Sequence, residues 1–294
     1  MINPTLFRFL SFFCKIGLSL LAIYLVYIKI DWNAFFLLWR QLNLFILLWV
    51  FILYNISQVL SALRMRCYLA LIDIDLDRIS SIYLCYLGMF YNLFLPGGIG
   101  GDGYKVYFLK RFYSQKTMLI VKALVGDRLN GFSGLLVIAF ACFCFNGLFE
   151  IASYQYVLLL LCMLVGILGY ALLQHWLFVF ELKSFLFSLC LSITVQALQG
   201  LVAVILVRSL GDLNHSFIYV FIFLFSSIVS QLPLSMGGLG TREVTMVYCL
   251  NYLGIDPNAG LAMALIFFMC QTLSNCLGLF CYHFKLEPKP VLGN

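Results

Sequence analysis

Apolar runs long enough to cross a bilayer recur along this chain, at residues 9–30, 43–64, 118–146, 154–175, 185–208 and 258–283. A hydrocarbon core of about 30 Å needs roughly 20 apolar residues in a helix, and runs of this length have no place in a water-soluble fold. Two further apolar stretches, 79–112 and 214–253, are interrupted near their middles, the first from Pro96 to Gly103 and the second from Pro233 to Gly240. Glycine loses the most backbone entropy in a helix and proline lacks the amide donor, so each stretch is expected to form two shorter helices joined by a bend. Backbone that leaves the helix inside lipid must find partners in protein or line a water-filled cavity. The two breaks therefore mark where such a lining is built.

Composition agrees. Charged residues make up 10% of the 294 positions, against about 25% in a soluble domain. The expected fold class is all-α: a polytopic integral membrane helix bundle of about six full spans plus two Gly/Pro-broken helical hairpins. It forms a single transmembrane domain over 1–285, with a short tail at 286–294. No basic face in water is available for nucleic acid, so a nucleic-acid partner is excluded. The first run follows Arg8, lacks a small-residue cleavage site and is span-length, which makes it a retained helix rather than a signal peptide. The 11 cysteines are scattered through apolar segments without a C-x-x-C pair and act as small hydrophobes. No metal site or cofactor is expected.

Each broken stretch contributes an even number of crossings, so the topology follows from the full spans. With the N-terminus inside, Arg8, Arg64, Arg66, Arg78, Lys110, Arg111, Lys116, Lys183, Lys285 and Lys289 fall on the inner side. Lys29, Arg40 and Arg208 fall on the outer side. By the positive-inside rule both termini are predicted cytoplasmic, in a multi-pass protein of the plasma (inner) membrane.

The breaks are related to each other. Leu95-Pro-Gly-Gly-Ile-Gly-Gly-Asp-Gly-Tyr-Lys105 aligns without gaps on Leu232-Pro-Leu-Ser-Met-Gly-Gly-Leu-Gly-Thr-Arg242. The shared Leu-Pro, three glycines and closing cation sit inside a larger recurrence of span, break and span, repeat A over about 43–146 and repeat B over about 185–283. The predicted orientation makes this an inverted repeat, and paired Gly/Pro-interrupted segments in inverted halves point to a transporter's substrate site.

Charges within these segments are costly, about 2.5–3.5 kcal/mol each at a helix centre, and so are expected to face a cavity or one another. Lys105 and Arg242 close the breaks at matching places, each where the following half-helix is expected to begin. With the half-helix N-termini they make a paired site for an anion. The alternative is a local Asp102–Lys105 ion pair, with Arg242 and Glu243 marking an interface. Asp127 and Arg128 lie among Gly126, Gly131 and Gly134. Asp127 can pair with a cation across the bundle while the small residues let another helix approach, or it can contact substrate. Arg64 and Arg66, at the end of the second span, anchor it at the interface or contact anionic headgroups. Asp73, Asp75 and Asp77 alternate as a D-x-D metal site would, but adjoin Arg78 and no soluble sugar-nucleotide domain.

Three stretches carry a family resemblance: Phe94-Leu-Pro-Gly-Gly-Ile-Gly-Gly-Asp-Gly-Tyr-Lys105, Val125-Gly-Asp-Arg-Leu-Asn-Gly131 and Leu232-Pro-Leu-Ser-Met-Gly-Gly-Leu-Gly-Thr-Arg-Glu243. Together, in this order and over nearly the whole chain, they resemble the flippase-like transmembrane region of lysylphosphatidylglycerol synthases and its stand-alone relatives. The resemblance implies a membrane protein that handles a lipid with an anionic or aminoacylated headgroup. The motif positions it assigns here are Pro96, Gly100, Gly101, Asp102, Lys105, Asp127, Arg128, Pro233, Gly237, Gly238, Gly240, Arg242 and Glu243. Family members commonly carry Arg where this chain has Lys105, and lysine keeps the charge but loses the two-pronged fork for phosphate. In the full-length synthases a cytoplasmic C-terminal domain transfers lysine from its tRNA to phosphatidylglycerol. The chain ends about ten residues after its last span, so that domain is expected to be absent and the chain is not expected to be that enzyme.

Three functions are consistent with this reading. The first is a lipid translocator in which the breaks meet near the midplane, Lys105 and Arg242 bind the headgroup, and rocking of the inverted repeats gives alternating access. Its substrate would be a phospholipid, a polyprenyl-phosphate or polyprenyl-linked sugar, a glycolipid or an aminoacylated lipid. The second is a non-catalytic membrane partner of a separate lipid or glycan synthase. The third is a membrane-embedded glycosyl- or acyltransferase using Asp73 and Asp75 or Asp102 and Glu243.

Overall fold

A computed structural model describes residues 42–94, 100–145, 153–178, 182–211, 215–231 and 240–283, together with Tyr24, Tyr27 and Phe36. The predicted first span, 9–30, therefore lies largely outside the described residues. So do Pro96, Pro233, Gly237 and Gly238.

The described residues are all-helical. Helices α1 (Leu44–Ala70), α2 (Arg78–Phe94), α3 (Gly100–Phe112) and α4 (Thr117–Phe145) are followed by α5 (Ser153–Phe178). Then come α6 (Leu182–Ser209), α7 (Ser216–Gln231), α8 (Thr241–Tyr252) and α9 (Pro257–His283). Four of them, α1, α4, α6 and α9, are long and apolar enough to cross a membrane. The protein is a multi-pass membrane protein. The order long, short, short, long occurs as 27, 17, 13 and 29 residues and again as 28, 16, 12 and 27.

Helix boundaries follow local chemistry. The Asn43 side chain accepts the Phe45 amide at 2.9 Å to start α1, and Asp77 Oδ2 accepts the amides of Ile79 and Ser80 to start α2. Asp256 Oδ1 takes the Asn258 amide at 3.0 Å, with Pro257 at the first helical position of α9. Gly254, at φ +70°, ends the turn after α8 and lets the Ile255 amide reach Leu250 O.

The broken stretches each form two short helices, as the sequence predicts, with one shift of register. Helix α3 begins at Gly100, not after Gly103, so Gly100, Gly101 and Gly103 belong to the helix. In the second stretch helix resumes at Thr241, directly after Gly240.

Helix α1 also runs past its predicted end at residue 64, to Ala70. Arg64 and Arg66 read as an interface in sequence, but Arg64 is buried and the helix continues beyond it.

The chain divides into two compact units, each taken by itself. The first draws on Met1–Tyr54, Tyr86–Tyr104 and Gly200–Phe284. In it α8 buries Glu243, Met246, Val247 and Leu250, one stripe at helical spacing, against α7 and α9. Helix α9 crosses α8 at Gly260, where an added Cβ would lie 2.2 Å from Leu250 Cδ1. It meets α2 at Gly278, where a Cβ would lie 2.3 Å from Tyr86 O. In lipid, helices associate through close packing rather than through exclusion of water, and these glycines set how close the backbones come.

The second unit draws on Asn55–Cys85 and Lys105–Gln199. Its interior includes Met65, Tyr68, Leu69, Leu84, Leu109, Ile120 and Leu135, all fully or almost fully buried.

Candidate functional site

The second break ends on a built arrangement in the first unit. Gly240 has φ +84°, a conformation glycine adopts without steric cost. Its amide donates to Glu243 Oε2 at 2.9 Å. Glu243 is 4% exposed and sits at the third position of α8, so its carboxylate folds back over the helix start. This is the return half of a capping box; glycine has no side chain for the other half.

Arg242 points elsewhere. Its guanidinium carbon lies 5.1 Å from the Phe223 ring centre on α7 and 4.7 Å from the Phe267 ring centre on α9. Tyr54 packs edge-on against Phe267 at 5.4 Å. Desolvated cation–π contacts contribute about 2 kcal/mol each, so the two rings hold the charge in place without neutralising it. Arg242 Nε is buried and finds no hydrogen-bond acceptor among the described residues. No ion pair joins Arg242 to Glu243. A buried guanidinium donor without an acceptor carries a desolvation cost of at least about 1–3 kcal/mol, which an anion would relieve.

The first break is built differently. Gly101 donates its amide to Asn92 Oδ1 at 2.7 Å, so a side chain of α2 caps the start of α3. The helices touch there: a Cβ on Gly101 would lie 2.0 Å from Gly88 O. Tyr91 and Tyr104 stack beside this contact with ring centres 4.0 Å apart. The half-helix N-termini, expected in sequence to be free for anions, thus each lend an amide to a side chain, Asn92 in one case and Glu243 in the other.

The cations also differ in register. Arg242 is the second residue of α8, in its first turn. Lys105 lies a turn or more beyond Gly100, the start of α3, so it does not mark the helix start as its sequence alignment suggests. Lys105 and Asp102 are both half-buried and both engaged in further contacts. Lys105 falls in the second unit, Asp102 and Arg242 in the first.

The second unit holds a buried polar cluster. Arg64 Nε donates to Asp127 Oδ1 at 2.7 Å and Nη2 to Oδ2 at 3.5 Å, a two-pronged pair. Arg64 Nη1 reaches Ser192 Oγ at 3.0 Å, and Nη2 reaches Ser61 Oγ at 3.4 Å. Ser192 in turn donates to Asn130 Oδ1 at 2.5 Å, and Asn130 Nδ2 donates to Tyr68 Oη at 2.7 Å and Ser188 Oγ at 2.8 Å. Helices α1, α4 and α6 are joined by side chains in this way.

The glycines of α4 make room for it. A Cβ at Gly131 would lie 2.9 Å from Arg64 Nη1, and one at Gly134 would lie 2.7 Å from the Ser192 backbone carbon. At Gly126 a Cβ would lie 2.7 Å from the Phe178 ring. Lys122 stands over that ring at 5.1 Å and donates to the Leu177 carbonyl near the end of α5, where a cation complements the helix dipole.

Asp127 therefore does pair with a cation from another helix, and that cation is Arg64. Arg128, the next residue, is exposed and engaged in other contacts. Arg66 is half-exposed; it donates to the Leu76 carbonyl and pairs with Asp75 at 3.2 Å. Asp77 caps α2, and hydrogen bonds, chiefly from the Ser80 side chain, hold its carboxyl below the usual range. Tyr113 donates to the Asp75 carbonyl at 3.3 Å, and burial, followed by the Asp75 charge, pushes its phenol up. The three alternating aspartates are thus spent separately: Asp75 in an ion pair, Asp77 in a cap, and Asp73 in a left-handed turn at φ +57°. Among the described residues no three His, Cys, Asp or Glu are grouped for a metal ion.

Sequence reasoning missed Asn92, Phe223, Phe267, Asn130 and Ser192. Asn92 had no local signal, because it sits inside α2 and reaches the Gly101 amide only through the fold. The phenylalanines had none in a chain with 29 of them.

Neither a curated protein nor a solved structure matches the chain. A family model does, over residues 12–278, and its description is the lysylphosphatidylglycerol synthase TM region. The match spans both breaks and the buried Arg64–Asp127 pair, and the chain belongs to that family.

Proposed function

We propose that the protein is a lipid translocator that binds an anionic headgroup, with Arg242 as the principal contact. The observation that carries this reading is the Arg242 guanidinium, seated on Phe223 and Phe267 with a buried Nε that has no acceptor among the described residues. Arg64 supplies the contrast, since its Nε edge is closed by the Asp127 carboxylate. Phosphate and carboxylate are the groups that a guanidinium edge grips with two oxygens.

Lys105 is the counterpart in the first broken stretch, and Pro96, Gly100, Gly101, Asp102, Pro233, Gly237, Gly238, Gly240 and Glu243 are the other substrate-binding positions of this reading. Asp127 holds Arg64 instead of touching lipid, Arg64 is spent on that pair and its serines, and Arg128 and Arg66 serve as secondary headgroup contacts. Support for inverted repeats comes from the aligned Leu-Pro-x-x-x-Gly-Gly-x-Gly segments and from the recurring order of helix lengths; alternating access follows from that arrangement. The excess of Lys and Arg on one side supports cytoplasmic termini in the plasma membrane.

The test is native mass spectrometry of lipid retained by the purified protein. An anionic lipid is expected on the wild type and strongly depleted on Arg242→Ala. Equal retention of anionic lipid by both would overturn the reading.

A further inference from the structure

The two breaks are capped by side chains of different chemistry. The first is held by the neutral amide of Asn92, which no change of pH in the physiological range alters. The second is held by the carboxylate of Glu243, which is buried and bonded to the Gly240 amide. Glu243 makes no salt bridge among the described residues.

Among the described residues of α8 and the two helices packed against it, one other full charge is present. Helices α7 and α9 pack against α8, and α7 contains no Asp, Glu, Lys, Arg, His or Cys and one tyrosine, Tyr219, whose hydroxyl donates to the Asp256 carbonyl at 2.8 Å. Helix α9 contains Cys270, Cys276, Cys281, Tyr282 and, at its last position, His283, and no Asp, Glu, Lys or Arg. On α8 itself the titratable groups are Arg242, Tyr248, Cys249 and Tyr252. Arg242 is thus the full charge beside Glu243 in this helix trio, and it is turned onto Phe223 and Phe267.

We propose that Glu243 is a proton-binding cap that controls the hold on Gly240 and the first turn of α8. As a carboxylate it accepts the Gly240 amide and complements the positive end of α8, which fixes the first turn and keeps Arg242 seated on its two rings. When Oε2 or Oε1 takes up a proton, the charge-assisted bond becomes a neutral one and the dipole interaction is lost. Gly240, already at φ +84°, is the residue best able to swing when that hold weakens. Of the two described caps, Glu243 can titrate and Asn92 cannot.

A consequence follows that rests on the reading of Arg242 as a headgroup site. An anion at Arg242 places negative charge next to Glu243 and raises the carboxylate's affinity for a proton. By reciprocity, a protonated Glu243 raises the affinity of Arg242 for the anion. Headgroup binding and proton uptake thereby favour each other, which gives lipid movement a link to a proton gradient.

The test needs no lipid movement. Wild type, Glu243→Gln and Asn92→Asp are placed in phosphatidylcholine nanodiscs, and infrared difference spectra and amide hydrogen exchange, normalised to intrinsic rates, are followed as pH is lowered. The wild type is expected to show a protonated-carboxyl band that Glu243→Gln lacks. Its amides at 240–244 are expected to exchange roughly fivefold faster as that band grows, the factor expected for exchanging a charged for a neutral hydrogen bond. Glu243→Gln should show no such pH dependence, and Asn92→Asp should acquire one at Gly101. Identical wild-type and Glu243→Gln spectra, or 240–244 protection indifferent to pH in the wild type, would overturn the proposal whatever the protein does to lipids. Adding phosphatidylglycerol tests the coupling alone: the band midpoint should rise in the wild type and stay fixed in Arg242→Ala. A fixed midpoint in both would overturn the link to the headgroup site.

Discussion

Arg64 and Asp127 form a buried ion pair with 2.7 Å between Nε and Oδ1, and their neighbours Ser192 and Asn130 are themselves fully or almost fully buried. Removing one member of such a pair strands the other charge. Arg64→Met and Asp127→Leu are each expected to destabilise the folded protein by about 3–5 kcal/mol. The double change Arg64→Met with Asp127→Leu, which removes both charges, should cost clearly less than the sum of the single changes. Thermal unfolding of the four proteins in detergent gives the comparison, and strict additivity would show that the two groups do not interact.

The α4 glycines should respond unequally. At Gly134 an added Cβ meets the Ser192 backbone, while at Gly131 it meets the end of the Arg64 side chain. Backbone gives way less readily than a guanidinium, so Gly134→Ala should cost about 1–3 kcal/mol and Gly131→Ala less. Unfolding measurements that rank them in reverse would contradict this packing.

The start of α3 depends on Asn92. Asn92→Ala leaves the Gly101 amide without its acceptor and should cost about 1 kcal/mol, with faster hydrogen exchange at Gly101. Gly101→Ala sets a methyl 2.0 Å from Gly88 O and should be the more damaging of the two.

Asp77 gives a pH signature. Its carboxyl is held below the ordinary value of 3.8 by its hydrogen bonds to Ser80 and Ile79. A lowered carboxyl contributes stability that is present in full above the ordinary value and is lost as pH falls through the lowered one. Exchange at the Ile79 and Ser80 amides should therefore stay slow at neutral pH and accelerate only in strong acid. In Asp77→Ala it should be fast throughout.

The helical runs among the described residues were legible because lipid restricts them so severely. The runs at 118–146, 185–208 and 258–283 appear as Thr117–Phe145, Leu182–Ser209 and Pro257–His283, since a helix of span length is the way such a run satisfies its own backbone. Both broken stretches were legible from Leu-Pro and the glycines. Gly100 was misjudged because glycine's poor helix propensity is overridden where Asn92 caps the helix and Gly88 lets α2 come close. The end of α1 was misjudged because an arginine in sequence reads as an interface, and only the fold brings Asp127 to Arg64.

Within the candidate site, the sequence singles out Arg242 by its alignment with Lys105. Its surroundings were not legible. Which of 29 phenylalanines would flank a given cation depends on how α7 and α9 turn their faces toward α8, and no local signal carries that. The role of Glu243 as a cap was hidden for a related reason: the capping box normally announces itself by Ser or Thr at the helix start, and Gly240 stands there instead.

The central claim is that Arg242 binds an anionic headgroup during transbilayer movement. Its most direct test is lipid movement in phosphatidylcholine vesicles reconstituted with the protein and carrying a fluorescent phosphatidylglycerol in one leaflet. The wild type should move the probe between leaflets, Arg242→Ala should lose at least about tenfold in rate for a lost charged contact of 1.5–3 kcal/mol, and Arg242→Lys should recover part of it. Movement by Arg242→Ala at the wild-type rate, in protein shown to be folded, would contradict the account.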